Sequence, residues 1–160
     1  MKRLVFSQLI QLPPSEVYRL MIDDEMYRKW TYIFCPGSFY QGSWITGETI
    51  DFLMIDEHGK PQGLHSLIER AVEGQEIVIK HLGAISDGNI DLHSDEVKKW
   101  SPAYEIYRFE AVDSGTLVTT EIDCTEDHIK YFEEKWPDAL ALLAQLCEKT
   151  WQTERDLTAK

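Results

Sequence analysis

The stretch DHIKYFEEKWPDALALLAQLCEKT, Asp127–Thr150, decides the fold, because it carries the strongest helical signal in the chain. On a helix, Phe132, Trp136, Leu140, Leu143 and Cys147 fall on one stripe at spacings of three and four, widened by Ala139, Leu142 and Leu146. A stripe that broad needs a large apolar partner. The other face holds Glu133, Glu134, Asp138, Gln145 and Glu148, so the helix lies on another layer instead of passing through it. Pro137 lacks a backbone donor and is expected to bend the axis beside Trp136, leaving 126–135 as a separate turn or a movable lid.

The rest of the chain supplies the partner. Lys2–Gln11 alternates as a first strand and stops at Pro13 and Pro14. A short helix starts at Pro14, where proline fits the first turn, and a second runs from Glu25 to Trp30 after capping by Asp23 and Asp24. From Phe39 the period becomes two, with strands predicted over 39–44, 48–55, 62–71, 76–83, 103–112 and 116–123. Their connections are hairpin-sized, which predicts an antiparallel sheet built in sequence order. The exception is 86–101, rich in Asp and Gly, which is expected to be the least ordered segment and a candidate flap.

One strand, two small helices, six strands and a long helix define an α+β helix-grip fold. Its curled seven-stranded antiparallel sheet wraps around the C-terminal helix. Residues 1–160 are expected to form a single domain of this kind, with a frayed tail from about 152.

Composition narrows the function. The formal charge is −12, from 28 acidic and 16 basic residues, which repels phosphate backbones and anionic lipid alike. Neither nucleic acid nor membrane is expected as a partner. The first residues alternate like a strand and do not form a signal-peptide core, and no run approaches the roughly 20 apolar residues of a membrane span. Cys35, Cys124 and Cys147 are odd in number and lack CxxC spacing, so they read as reduced thiols in a cytoplasmic protein.

Several stretches together resemble a known superfamily. They are PPSEVY from Pro13 with Trp30, GSWITGETIDF from Gly42, IKHLG from Ile79, WSPAYEIY from Trp100 and YFEEKWPDAL from Tyr131. They are similar to the SRPBCC, or START-like, superfamily, and within it to bacterial single-domain relatives of the activator of the heat-shock protein ATPase. The resemblance implies a cavity between the sheet and the C-terminal helix that holds a hydrophobic small molecule. Candidate lining residues are Ile50, Phe52, Met54, His81, Tyr107 and Phe109 on the strands and Trp136, Leu140 and Leu143 on the helix. Plain core packing is the favoured reading for most of them, His81 included, since burying an apolar side chain contributes about 1.5–3 kcal/mol with or without a ligand.

The polar residues leave more than one reading open. The strand pairing expected for His65 and His81 turns them to opposite faces, which argues against a shared metal. No metal, cofactor or catalytic residue set is legible. Glu105 and Glu121 lie within strands and can face either way; one facing the cavity beside Tyr107 would be a general-acid candidate. Arg70 and Arg108 can neutralise such a carboxylate or hold an anionic ligand group, although cross-strand surface pairing is the favoured reading. The leading expectation is an intracellular binder of an apolar small molecule. The alternatives are an enzyme of cyclase or hydrolase type using the same cavity and a co-chaperone-like stress-response protein. Homodimerisation is left open by the sequence.

Overall fold

The computed structural model describes residues 1–159. β1 (Lys2–Ile10) alternates as its sequence requires, burying Leu4 and Ile10 and exposing Val5 and Leu9. α1 (Pro14–Ile22) begins with proline at its first turn, and α2 (Asp24–Trp30) is capped by the Asp23 carboxylate, which accepts from Met26 N–H at 3.2 Å. Helices this short are marginal alone. They are held by burial of Val17, Leu20, Met21 and Trp30, and by the Trp30 indole N–H donating to the Met21 carbonyl at 3.0 Å.

The strands that follow are β2 (Phe39–Gly42), β3 (Thr49–Ile55), β4 (Pro61–Val72), β5 (Glu76–Ser86), β6 (Asn89–Asp91), β7 (Ala103–Val112) and β8 (Gly115–Cys124). All pairings are antiparallel, in the spatial order β1-β8-β7-β5-β4-β3-β2. The seven expected strands form this path, and the short β6 is an eighth that pairs with the end of β5. Apart from β6, which branches off between β5 and β7, the sheet departs from sequence order at one place. β1 lies beside β8, from Lys2 opposite Cys124 to Ile10 opposite Thr116, because α1 and α2 carry the chain across from one sheet edge to the other.

The segment 86–101 is organised, contrary to its composition. It contains β6 and α3 (Asp95–Lys98), and Asp91 Oδ1 accepts from the backbone of His93 and Ser94 at 3.1 and 3.0 Å. Ser94 caps α3, and Val97 is buried. Short polar side chains here close backbone donors locally, which a composition-based reading counts as disorder.

α4 (Ile129–Thr158) closes the inner face of the sheet. Trp136, Ala139, Leu140, Leu143, Ala144 and Cys147 are buried, with Phe132 and Leu146 half-buried against the same core. The helix runs unbroken through Pro137 and past position 152, where fraying was expected. Residues 126–128 form a 3₁₀ turn leading directly into it, so the sequence around Pro137 forms no separate turn. Pro137 is exposed and its neighbours Trp136, Ala139 and Leu140 are locked in the core, so tertiary packing overrides the local cost. Among the described residues no helix is long and apolar enough to cross a membrane.

Candidate functional site

The site is made by a fork in the sheet. β5 pairs with β7 only as far as His81 opposite Ala103, and then with β6 from Ala84 opposite Asp91. Leu82 is an extra residue against β4, where Ser66 pairs with His81 but His65 pairs with Gly83. Bulges of this kind re-aim side chains and end pairing. Gly83 makes the parting possible: a Cβ there would lie 2.3 Å from the Asp91 carbonyl oxygen and 2.6 Å from a Leu92 methyl. Ser101 Oγ donates to the Leu82 carbonyl at 2.7 Å and pins the returning chain.

Between this fork, the end of β8 and the first turns of α4 lies a cavity of about 350 Å³. Its walls include Leu64, Trp100, Ile122, Cys124, Phe132 and Trp136. That volume is at the lower end of the roughly 300–1,000 Å³ usual for small-molecule sites. The middle of α4 leaves no space, because Leu140 and Leu143 pack directly on the sheet with no exposed surface.

Polar chemistry enters at one wall. His81 Nδ1 is 2.6 Å from Ser66 Oγ, and its Nε2 is 3.1 Å from Glu105 Oε1. Tyr107 donates its hydroxyl to the other carboxylate oxygen of Glu105. Ser66, His81 and Tyr107 are buried, whereas the Glu105 side chain keeps 24% of its surface and lines the cavity with His81. An ionised carboxylate can only accept, so its hydrogen bond to His81 places a hydrogen on Nε2, and Ser66 Oγ is the partner of Nδ1. Burial and then the Glu105 charge push the Tyr107 phenol well above its ordinary range, which keeps it a donor. Tyr27 is pushed the same way, by burial first and then by Glu105.

A second carboxylate, Asp123, is neutralised from outside. Burial works upward on it, but Arg3 at 2.8 Å and the Tyr104 N–H at 3.0 Å more than offset this and hold Asp123 below the usual carboxylate value. Burial raises Cys124, so its thiol stays protonated. Trp136 lines the cavity among Phe6, Trp30, Phe34 and Tyr107, and its buried indole N–H has no partner among the described residues.

Of the residues proposed from sequence to line the cavity, the structure brings His81 and Trp136 to it. Ile50, Tyr107, Phe109, Leu140 and Leu143 fill the core instead. Phe52 packs edge-on to His81, with ring centroids 5.8 Å apart, and Met54 Sδ receives the Cys35 thiol at 3.4 Å. His65 is turned away from His81 onto Asp51 at 2.6 Å. Glu121 and Arg108 pair on the outer face, as do Arg70 and Glu76, so only Glu105 of the two open strand carboxylates points inward. Glu105, Tyr107 and Phe109 share one alternating set on β7, a signal that was present once the buried aromatics fixed the inward face. Ser66 carried no such signal, because its partner depends on the bulge at Leu82. Among the described residues no group of three or more His, Cys, Asp or Glu is placed to hold a metal ion.

A curled antiparallel sheet gripping a long C-terminal helix, open at one end beside that helix's first turns, is the helix-grip class of fold with a small-molecule-sized cavity. A family model described as "Activator of Hsp90 ATPase homolog 1-like protein" matches residues 11–148, and the chain belongs to that family. No curated protein matches it. Among solved structures it is similar to a protein from Nitrosomonas europaea, at 14% identity and TM-score 0.67, covering 92% of this chain and 95% of that one. It is also similar to the Aha1 dimer from Colwellia psychrerythraea, whose structure was determined in solution, at 16% identity and TM-score 0.66 with 92% and 97% covered. A Staphylococcus saprophyticus protein gives 20% identity and TM-score 0.62, with 92% of both chains covered. Identities this low speak for the fold alone.

Proposed function

We propose that the protein binds a small, mainly apolar molecule in the cavity beneath the first turns of α4. The observation that supports this is a 350 Å³ space whose walls are largely aromatic and aliphatic but which meets a pre-oriented polar pair, His81 and Glu105. A protein that needed only to pack would fill such a space, since each unfilled volume forfeits contacts. The polar pair would orient a ligand whose body the apolar walls desolvate.

Native mass spectrometry of the protein purified from cells, followed by thermal unfolding against a library of small aromatic and alicyclic compounds, tests the reading. The expected result is a bound mass or a ligand-dependent rise in Tm of the size that mass action gives at saturation. A flat response across the library rejects it. The Colwellia protein is a dimer, and here the edge strand β1 exposes Val5 and Leu9; static light scattering decides whether this chain also associates.

A further inference from the structure

The geometry points to a cationic ligand: we infer that Glu105 is the counter-ion for an ammonium group carried on the apolar molecule that occupies the cavity. The inference rests on the cavity being a ligand site and adds the charge of what fills it.

Among the described residues Glu105 is held by the His81 ring and the Tyr107 hydroxyl, and by no lysine or arginine. His81 supplies one hydrogen bond and Tyr107 the other, one to each carboxylate oxygen. An ionised carboxylate has about four acceptor sites, so roughly two remain open. Among the described residues Glu105 has no lysine or arginine within ion-pair distance and none lines the cavity; the Met1 N-terminus, whose residue does line it, acts on Asp123 and is in no ion pair with Glu105. On the neighbouring strands β8 and β5, Glu121 has Arg108 and Glu76 has Arg70. Asp123, the other carboxylate in the cavity wall, is already occupied by Arg3. Glu105 is therefore the one wall carboxylate left to a partner from outside the chain.

The surroundings fit a cation in two further ways. Trp100, Tyr104, Phe132 and Trp136 stand around the same space, and the faces of such rings attract an ammonium group. The net charge of −12 draws cations toward the surface. The first turn of α4 reaches the opposite side at His128 and favours negative charge, but that influence fades within a turn, whereas the Glu105 carboxylate is itself in the wall. An anionic ligand would have to approach a carboxylate with no lysine or arginine beside it in a partly desolvated space, which is unfavourable.

Three probes with one ring system separate charge from apolar contact: naphthylmethylamine, naphthylmethanol and naphthoic acid. Isothermal titration of the full chain at neutral pH is expected to rank the amine roughly tenfold or more above the alcohol, because one partner of the hydrogen bond is then charged on each side, with the acid weakest. In Glu105→Gln the amine should lose its advantage over the alcohol, and circular dichroism with thermal unfolding reports whether the variant keeps its fold. Equal binding of amine and alcohol, preference for the acid, or an amine preference surviving Glu105→Gln would each overturn the assignment of charge while leaving the cavity a ligand site. Absence of binding by all three would overturn the charge assignment together with the ligand-site reading. The ranking in the unmutated chain decides the matter even if the variant does not fold.

Discussion

His81 on β5 and Glu105 on β7 meet across the strand pair, with Nε2 3.1 Å from Oε1, although neither is opposite the other in the ladder. Glu105 faces Ile79, and His81 faces Ala103 at the last rung before the fork. Their contact is a diagonal one on the inner face, within reach of long side chains. It places a polar pair where the sheet opens, and the buried residues behind it hold that pair in position.

The first of those residues is Ser66. It has no exposed surface, and its hydroxyl is the partner of His81 Nδ1. Ser66→Ala leaves that buried nitrogen without its partner and is expected to destabilise the fold by about 1–3 kcal/mol. Urea unfolding measures it; a loss below a few tenths of a kcal/mol would mean that the imidazole finds another partner.

Tyr107 gives a pH signature. Its folded-state phenol titrates above the ordinary value of 10.0. The stability tied to the protonated phenol is fully present below pH 10 and is lost as pH rises through the folded value, because the unfolded chain releases that proton more readily. Tyr107→Phe should lower stability at neutral pH by about 1.5–3 kcal/mol, the size of a hydrogen bond to a charged group. It should also flatten the alkaline decline. Unfolding curves from neutral pH to above 10 would show parallel declines for the two proteins if Tyr107 is not involved.

Gly83 is the hinge of the fork. The added methyl in Gly83→Ala meets the Asp91 carbonyl carbon and oxygen at 3.1 and 2.3 Å, and backbone cannot rotate away as a side chain would. The variant should lose about 1–3 kcal/mol and release β6 from β5. Hydrogen exchange of the amides in 84–91 reports the release, and unchanged protection there would show that the strands shift together.

Pro137 makes an opposite prediction. It is exposed, lies within a continuous helix, and cannot donate to the carbonyl of Glu133. Pro137→Ala should stabilise the protein by about 1–3 kcal/mol, up to the full propensity difference. A raised Tm is the expected outcome; a lowered one would mean that the core around Trp136 depends on the axis the proline imposes.

The inward stripe on α4 was legible in the sequence because helical period and side-chain type agree: Trp136, Ala139, Leu140, Leu143 and Cys147 are all buried. The hairpins β2-β3, β3-β4, β4-β5 and β7-β8 were legible as well, since turn residues punctuate an alternating pattern, whereas β6 was not. Which apolar side chains fill the core and which bound empty space was not. Leu140 and Phe132 have the same character in sequence, yet one is fully buried and the other lines the cavity, a difference set by where the helix lifts from the sheet.

By itself, then, the sequence determined the seven main strands, the helices after β1, the long C-terminal helix and its apolar stripe, because these follow from local periodicity and turn chemistry. Only the tertiary structure decided that β1 closes on β8, that Ser66 stands opposite His81, and that Glu105 faces inward while Glu121 faces out. Those outcomes depend on a one-residue bulge at Leu82 and on how strands far apart in the chain align, and neither leaves a mark in local periodicity.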